Sequence, residues 1–96
     1  MEITKEQINL LKSKRDLIKP KCSFAFHQDE VRNFMGVSSY AALSESDKDA
    51  IFEESIQKAN HNEKLFDKLS RAIDFAEQQL NLQEMLSIDF NLSGNQ

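Results

Sequence analysis

The first eighteen residues carry the clearest helical pattern of the chain. Residues 4–7 read Thr-Lys-Glu-Gln, the order of a capping box in which Thr4 and Gln7 satisfy each other's free backbone amides. Apolar residues then recur seven positions apart, at Leu10, Leu11, Leu17 and Ile18. Pro20 follows, and the residue before a proline disfavours helical geometry. The pattern therefore predicts a helix that begins after Thr4 and ends near Ile18.

Between residues 21 and 43 the pattern indicates shorter elements. Apolar residues of segment 21–26 alternate with smaller or polar ones, which fits either a short strand or an extended approach to a helix. A helix is predicted over 27–35, with Gly36 as its left-handed C-terminal cap. A further one-turn helix, capped by Ser38 or Ser39, is predicted within residues 37–43.

The C-terminal half contains two helical patterns separated by a polar stretch. Serines and acidic residues start a helix predicted over 46–59, and Asn60, His61 and Asn62 interrupt it. A longer helix follows, whose apolar residues lie within about 100° of one another: Leu65, Leu69, Ala72, Ile73, Ala76 and Leu80. After Leu80 the register slips, so this helix either bends near Asn81 or ends.

Residues 87–92 alternate strictly between polar and apolar, which is typical of a strand. Such a strand needs a partner, either segment 21–26 or a sheet edge of another protein, and disorder is the alternative. We predict an all-α or nearly all-α fold, a small orthogonal bundle of four to five helices, with a minor two-stranded appendage if those segments pair. Residues 1–86 form one helical domain and residues 87–96 a C-terminal tail, strand-like or disordered.

Composition supports a single folded domain. The chain has 96 residues, 40% of them hydrophobic and 29% charged, close to globular averages. Cys22 is the single cysteine, which fits a reducing compartment. The longest apolar run is residues 40–43, too short for a membrane span or a signal peptide. We therefore expect a soluble, intracellular and cytoplasmic protein without a membrane partner.

No catalytic, metal or cofactor motif stands out. His27 with Asp29 and Glu30 resembles an acid–base cluster, but acidic residues at a helix start are typical of capping. Cys22 lies five positions before His27, and a structural cysteine is favoured over a thiolate pair. Two histidines and one cysteine lack zinc-ligand spacing, and two glycines cannot form a phosphate loop. We expect no enzyme activity, no metal and no cofactor.

Residues 34–42 resemble the turn of helix-turn-helix DNA-binding domains, in which a glycine and a capping serine join two helices. The resemblance implies a small transcriptional regulator with Tyr40 and Ala41 in the major groove. Arg32 and Glu45 depart from the family pattern, and the second helix lacks basic residues that bind phosphate. Direct nucleic-acid binding is therefore disfavoured.

A surface role remains the favoured interpretation. The net charge is -4, with basic residues concentrated before residue 23 and acidic ones after it. We expect a protein–protein interaction module of the small-inhibitor, immunity or phage anti-defence (anti-CRISPR-like) type, whose partner is another protein or a protein–nucleic-acid complex. The alternatives are the DNA-binding regulator and a structural subunit of a homo-oligomer. Candidate contact residues are the acidic Glu45, Asp47, Asp49, Glu53 and Glu54, the basic Lys12, Lys14, Arg15, Lys19 and Lys21, and the tail residues Ile88, Phe90 and Leu92.

Overall fold

The computed structural model describes residues 2–88, and the regular elements in that range are helical. They are α1 (Lys5–Ile18), a short 3₁₀ turn (Lys19–Cys22), α2 (Phe24–Met35), α3 (Val37–Ala41) and α4 (Glu45–Ser87). No strand occurs in this part of the chain. The prediction of an all-α fold is confirmed.

The molecule is a long helical hairpin with two layers. One layer is α4, whose 43 residues extend for about 65 Å at 1.5 Å per residue. The other layer, here called the arm, consists of α1, the 3₁₀ turn and α2, all packed against α4. The contacts of α1 show that it runs antiparallel to α4, since Ile3 bonds to Gln83 and Lys12 to Glu77. At the start of α2, Phe24 stacks edge-on against Phe52.

A compact orthogonal bundle is not confirmed, because the structure is very elongated. Its extents are 78 × 20 × 18 Å and its radius of gyration is 22.2 Å, against about 13 Å for a compact domain of this size. The predicted interruption at residues 60–62 does not occur. Asn62 donates its amide to the carbonyl of Lys58 at 2.8 Å, and no glycine or proline breaks the helix there. The same helix also continues past Leu80 to Ser87.

The arm packs along a heptad seam on α4. The seam residues are spaced alternately four and three apart, which is the repeat of left-handed coiled coils. We call them the inner seam: Lys48, Phe52, Ser55, Ala59, Asn62, Phe66, Leu69, Ile73, Ala76, Leu80 and Gln83. All are buried or half-buried except Phe52, which stacks against Phe24. This continuous seam explains why α4 stays unbroken.

The tightest packing lies between α1 and the C-terminal half of α4. Ile8, Ile73 and Ala76 form its buried cluster, and Ile3, Leu11 and Leu80 pack against it. The capping box of α1 forms as predicted, with both the Thr4 and Gln7 side chains accepting backbone amides. Two members of the predicted core stripe, Leu65 and Ala72, are instead exposed, because the arm covers only one side of α4.

Segment 21–26 is divided between the 3₁₀ turn and the first residues of α2, so α2 begins three residues before the predicted start at 27. The pattern of this segment fitted either a short strand or an extended approach to a helix; neither is formed, and no two-stranded appendage occurs within residues 2–88. Ser23 accepts the amide of Ala25 at 3.3 Å and starts α2 at Phe24. The predicted end of this helix is confirmed, since α2 stops at Met35 and Gly36 has φ of +88°. A positive φ is open to glycine without steric cost. Gly36, rather than a serine, is also the N-terminal cap of α3.

Candidate protein-binding surface

His27 holds the arm together. Its ring is buried, with Nε2 2.8 Å from the carbonyl oxygen of Lys21 and Nδ1 3.5 Å from the carboxylate of Glu30. Asp29 accepts a hydrogen bond from Arg32 at 2.9 Å instead of approaching the ring. The three residues that resemble an acid–base cluster are therefore divided between two contacts, and the imidazole links α2 to the 3₁₀ turn. Asp29 and Glu30 also lie beyond the first turn of α2, so the predicted capping role is not formed.

Cys22 is half-buried in the 3₁₀ turn, and its Sγ contacts the carbonyl of Ile18 at 3.6 Å. Burial raises the pKa of this thiol, and the nearby carboxylates of Glu63 and Asp67 raise it further. A raised pKa keeps the thiol protonated, and the thiol is the weaker nucleophile. Both ring nitrogens of His27 have other partners, so the structure shows no thiolate–imidazole pair.

Between residues 2 and 88, no group of three or more histidine, cysteine or acidic side chains is arranged to hold a metal ion. In the same range, no helix is both long and apolar enough to cross a bilayer.

A second heptad stripe follows α4 on a side that the arm leaves open. Its residues alternate three and four apart: Leu65, Lys68, Ala72, Phe75, Gln79, Leu82 and Leu86. Each stripe residue from Leu65 to Leu82 directly precedes an inner-seam residue, so the stripe is rotated by about 100° from the inner seam. Phe75, Leu82 and Leu86 are 62%, 51% and 77% exposed. These are large apolar side chains that nothing within residues 2–88 covers.

The arm contributes to the same side of the hairpin. Leu10 and Leu17 are seven residues apart on α1, 56% and 71% exposed, and rotated by about 120–140° from the residues that contact α4. Because both helices are right-handed and antiparallel, this rotation places them beside the second stripe. We call the combined surface the apolar face, made of Leu10 and Leu17 of α1 and Leu65, Phe75, Leu82 and Leu86 of α4.

The opposite side of the α1–α4 pair, here called the polar side, has a different character. A groove there is lined mainly by polar residues: Lys5, Asn9, Lys12, Glu77, Asn81 and Glu84. Lys12 and Glu77 form an ion pair across it at 3.5 Å. The hairpin therefore has one polar and one apolar long side.

Charge is segregated in the same way. Lys68 lies within the stripe of α4, Lys64 and Arg71 border it, and Lys14 is exposed between Leu10 and Leu17 on α1. By the same helical geometry, the carboxylates of the C-terminal half of α4 turn toward the polar side: Glu63, Asp67, Asp74, Glu77 and Glu84. The charges of α4 next to the apolar face are thus positive, as is Lys14 on α1, whereas the exposed Glu6, one turn before Leu10, is the carboxylate on this side of α1.

The predicted basic group does not form one cluster. Lys12 and Lys14 lie on opposite sides of α1, Arg15 is half-buried toward α4, and Lys19 and Lys21 are exposed in the 3₁₀ turn. Lys14, on the apolar face, is the member that the structure associates with exposed apolar side chains.

The predicted acidic group lies on the first three turns of α4, and its members are exposed: Glu45, Asp47, Asp49, Glu53 and Glu54. They are distributed around the helix, and Glu54 pairs with Lys58 at 3.4 Å. Ile88 is exposed at the end of α4, whereas Phe90 and Leu92 lie outside the described residues.

The corner at residues 34–42, which resembles a helix-turn-helix, does not have an exposed second helix with Tyr40 on its surface. α3 has only five residues. Tyr40 is buried, accepts a hydrogen bond from Gln28 at 3.1 Å, and stacks under the guanidinium of Arg32 at 5.0 Å. Tyr40 thus serves packing between α2 and α3.

Sequence reasoning missed Phe75, Leu82 and Leu86 as surface residues. The signal was present in the alternating spacing of three and four that continues from Leu65 to Leu86, which is a stripe of its own.

Comparison of the chain with protein-family models, with curated proteins and with solved structures found no match.

Proposed function

We propose that this protein is a non-enzymatic protein–protein interaction module that binds another protein, alone or within a nucleic-acid complex, in a fixed ratio. The observation that carries the proposal is the apolar face. Phe75, Leu82 and Leu86 are more than half exposed on one side of a single helix. Contiguous exposed apolar surface of this kind marks interaction sites on soluble proteins.

The contacts of the reactive side chains support a role in binding rather than in chemistry. His27 and Cys22 have structural partners within the arm, and the raised pKa of the Cys22 thiol disfavours nucleophilic attack. A rod 78 Å long is suited to lying along a partner and occluding its surface. The form of the function that we favour is a cytoplasmic inhibitor, immunity or anti-defence protein that acts by such occlusion.

Affinity purification of the tagged full-length chain from its source cells, followed by native mass spectrometry, tests the proposal. We expect a complex with a constant ratio of this chain to one partner. Recovery of the chain only in its free form, across lysates from several growth conditions, would contradict the proposal. A parallel purification with Glu45, Asp47 and Asp49 changed to lysine tests whether the acidic group takes part.

A homo-oligomer is the second candidate, because another copy of the chain also offers apolar side chains to cover the apolar face. Light scattering coupled to size-exclusion chromatography distinguishes the two at micromolar concentration. A mass twice that of the 11.1 kDa chain would favour the homo-oligomer, and a monomer favours a different protein as the partner.

A further inference from the structure

We infer, on the basis of the proposed function, that the apolar face is the docking site for an amphipathic α-helix of another protein, with carboxylates flanking its apolar stripe. The first argument is the spacing on α4. From Leu65 to Leu86 the exposed stripe keeps the alternation of three and four residues by which one helix receives the side chains of another. Leu10 and Leu17 form the second wall, so a helix laid there completes a three-helix bundle.

The size of the surface fits a stable complex. The stripe from Leu65 to Leu86 is about 32 Å long, and the hairpin is about 20 Å wide. A helix that covers this surface buries roughly 600 Å² on each partner, or roughly 1,200 Å² in total, which exceeds the ~1,000 Å² of a specific interface. Ala72 at the middle of the stripe allows close approach of the partner backbone.

Charge identifies the chemistry of the partner. Lys14, Lys64, Lys68 and Arg71 border or enter the apolar face, while the carboxylates of this half of α4 lie toward the polar side. Residues that flank an apolar seam set the choice of partner through pairs of opposite charge. A second copy docked in the same direction would bring these cations together, and one docked in the opposite direction offers them Glu6 as the carboxylate on this face. An acidic amphipathic helix pairs them with carboxylates.

The probe for the test is a synthetic peptide of four heptads with leucine at the two apolar positions and glutamate at the flanking positions. A matched peptide with lysine at the flanking positions is its control. Binding to the full chain is measured by fluorescence anisotropy at low and physiological salt. We expect the glutamate peptide to bind at least tenfold more tightly than the lysine peptide, with the difference shrinking as salt rises. Equal binding, or preference for the lysine peptide, would overturn the charge assignment.

Adjacent residues of α4 provide matched protein variants. Leu82→Asp places a carboxylate on the apolar face, whereas Asn81→Asp places the same side chain on the polar side. We expect Leu82→Asp to weaken binding of the glutamate peptide at least tenfold and Asn81→Asp to change it less than twofold. Leu86→Asp, at a position 77% exposed, is a second variant that circular dichroism should show to be fully helical. Equal effects of Leu82→Asp and Asn81→Asp would overturn the location.

A lipid surface and a second copy of the chain are the other possible occupants of the apolar face, and each gives a different experimental result. Binding to vesicles with phosphatidylserine, lost in Leu82→Asp while neither peptide binds, would assign the face to a lipid surface and refute the inference. A dimer in light scattering that Leu82→Asp dissociates would assign it to a second copy, with the same consequence. If both peptides fail but affinity purification still yields a partner in a fixed ratio, the inference fails and the proposed function stands.

Discussion

Replacement of Ile73 by alanine tests which side of α4 is the core. Ile73 is 1% exposed and packs in the cluster with Ile8 and Ala76. Truncation of a buried isoleucine removes its transfer free energy and leaves a cavity, at a typical cost of about 2–5 kcal/mol. In a structure of only two layers the neighbouring side chains can partly close the gap. We therefore expect a loss of about 2–3 kcal/mol in the free energy of unfolding.

Phe75→Ala is the matched control. Phe75 lies two residues further along the same helix and is larger, but it is 62% exposed on the apolar face. Substitutions at surface positions usually change stability by less than about 0.5 kcal/mol. The hairpin therefore predicts a large loss of unfolding free energy for Ile73→Ala and almost none for Phe75→Ala. A bundle that buried both side chains would predict the larger loss for Phe75→Ala, because phenylalanine is the larger residue.

Urea unfolding followed by circular dichroism at 222 nm measures both values. Ile73→Ala should lower the denaturation midpoint with an unchanged slope, because the surface exposed on unfolding stays nearly the same. Its melting temperature should fall by roughly 10–20 °C for a domain of this size. A loss for Phe75→Ala equal to that for Ile73→Ala, or a loss below about 1 kcal/mol for Ile73→Ala, would refute the two-sided description of α4.

Three further substitutions or treatments test local features of the fold. Thr4→Ala removes the capping box of α1 and should cost about 1 kcal/mol in urea unfolding; no change would mean that the cap contributes nothing. His61→Pro, within the unbroken α4, should cost about 3 kcal/mol or more and reduce helicity, whereas a helix interrupted at residues 60–62 would tolerate it. The raised pKa of Cys22 shifts the pH dependence of alkylation by iodoacetamide upward relative to the unfolded chain, and Glu63→Gln should partly reverse the shift. The folded state holds this proton more tightly, so the contribution of Cys22 to stability is complete below the unfolded pKa and falls as pH rises through the folded one.

The elements with local signals could be predicted from the sequence. The start of α1 depends on two side chains of a capping box, and its end on Pro20, so neither boundary needs tertiary information. The same is true of the end of α2, where Gly36 supplies the positive φ that the turn requires. Each of these helix ends lies within a few residues of the side chain, proline or glycine that determines it.

The continuity of α4 could not be predicted from local signals. Asn60, His61 and Asn62 have weak helix propensity and resemble an interruption. In the structure Asn62 occupies an inner-seam position, and α4 contacts the arm both before and after it. Packing along the whole seam outweighs a local propensity cost of a few tenths of a kcal/mol per residue. The stabilisation from this packing depends on the position of the arm, which local sequence signals do not contain.

The architecture itself explains why apolar side chains remain on the surface. With 40% hydrophobic residues the chain has the composition of a compact globular domain, in which elements cover one another on several sides. A hairpin of two layers has a single internal interface, and the inner seam occupies only one side of α4. The second stripe, from Leu65 to Leu86, keeps heptad spacing although nothing in the described chain covers it. Met85 is also exposed on α4 away from this stripe. The heptad order of the stripe, beside Lys14 and Lys68, is the feature on which the proposed recognition of an acidic amphipathic helix depends.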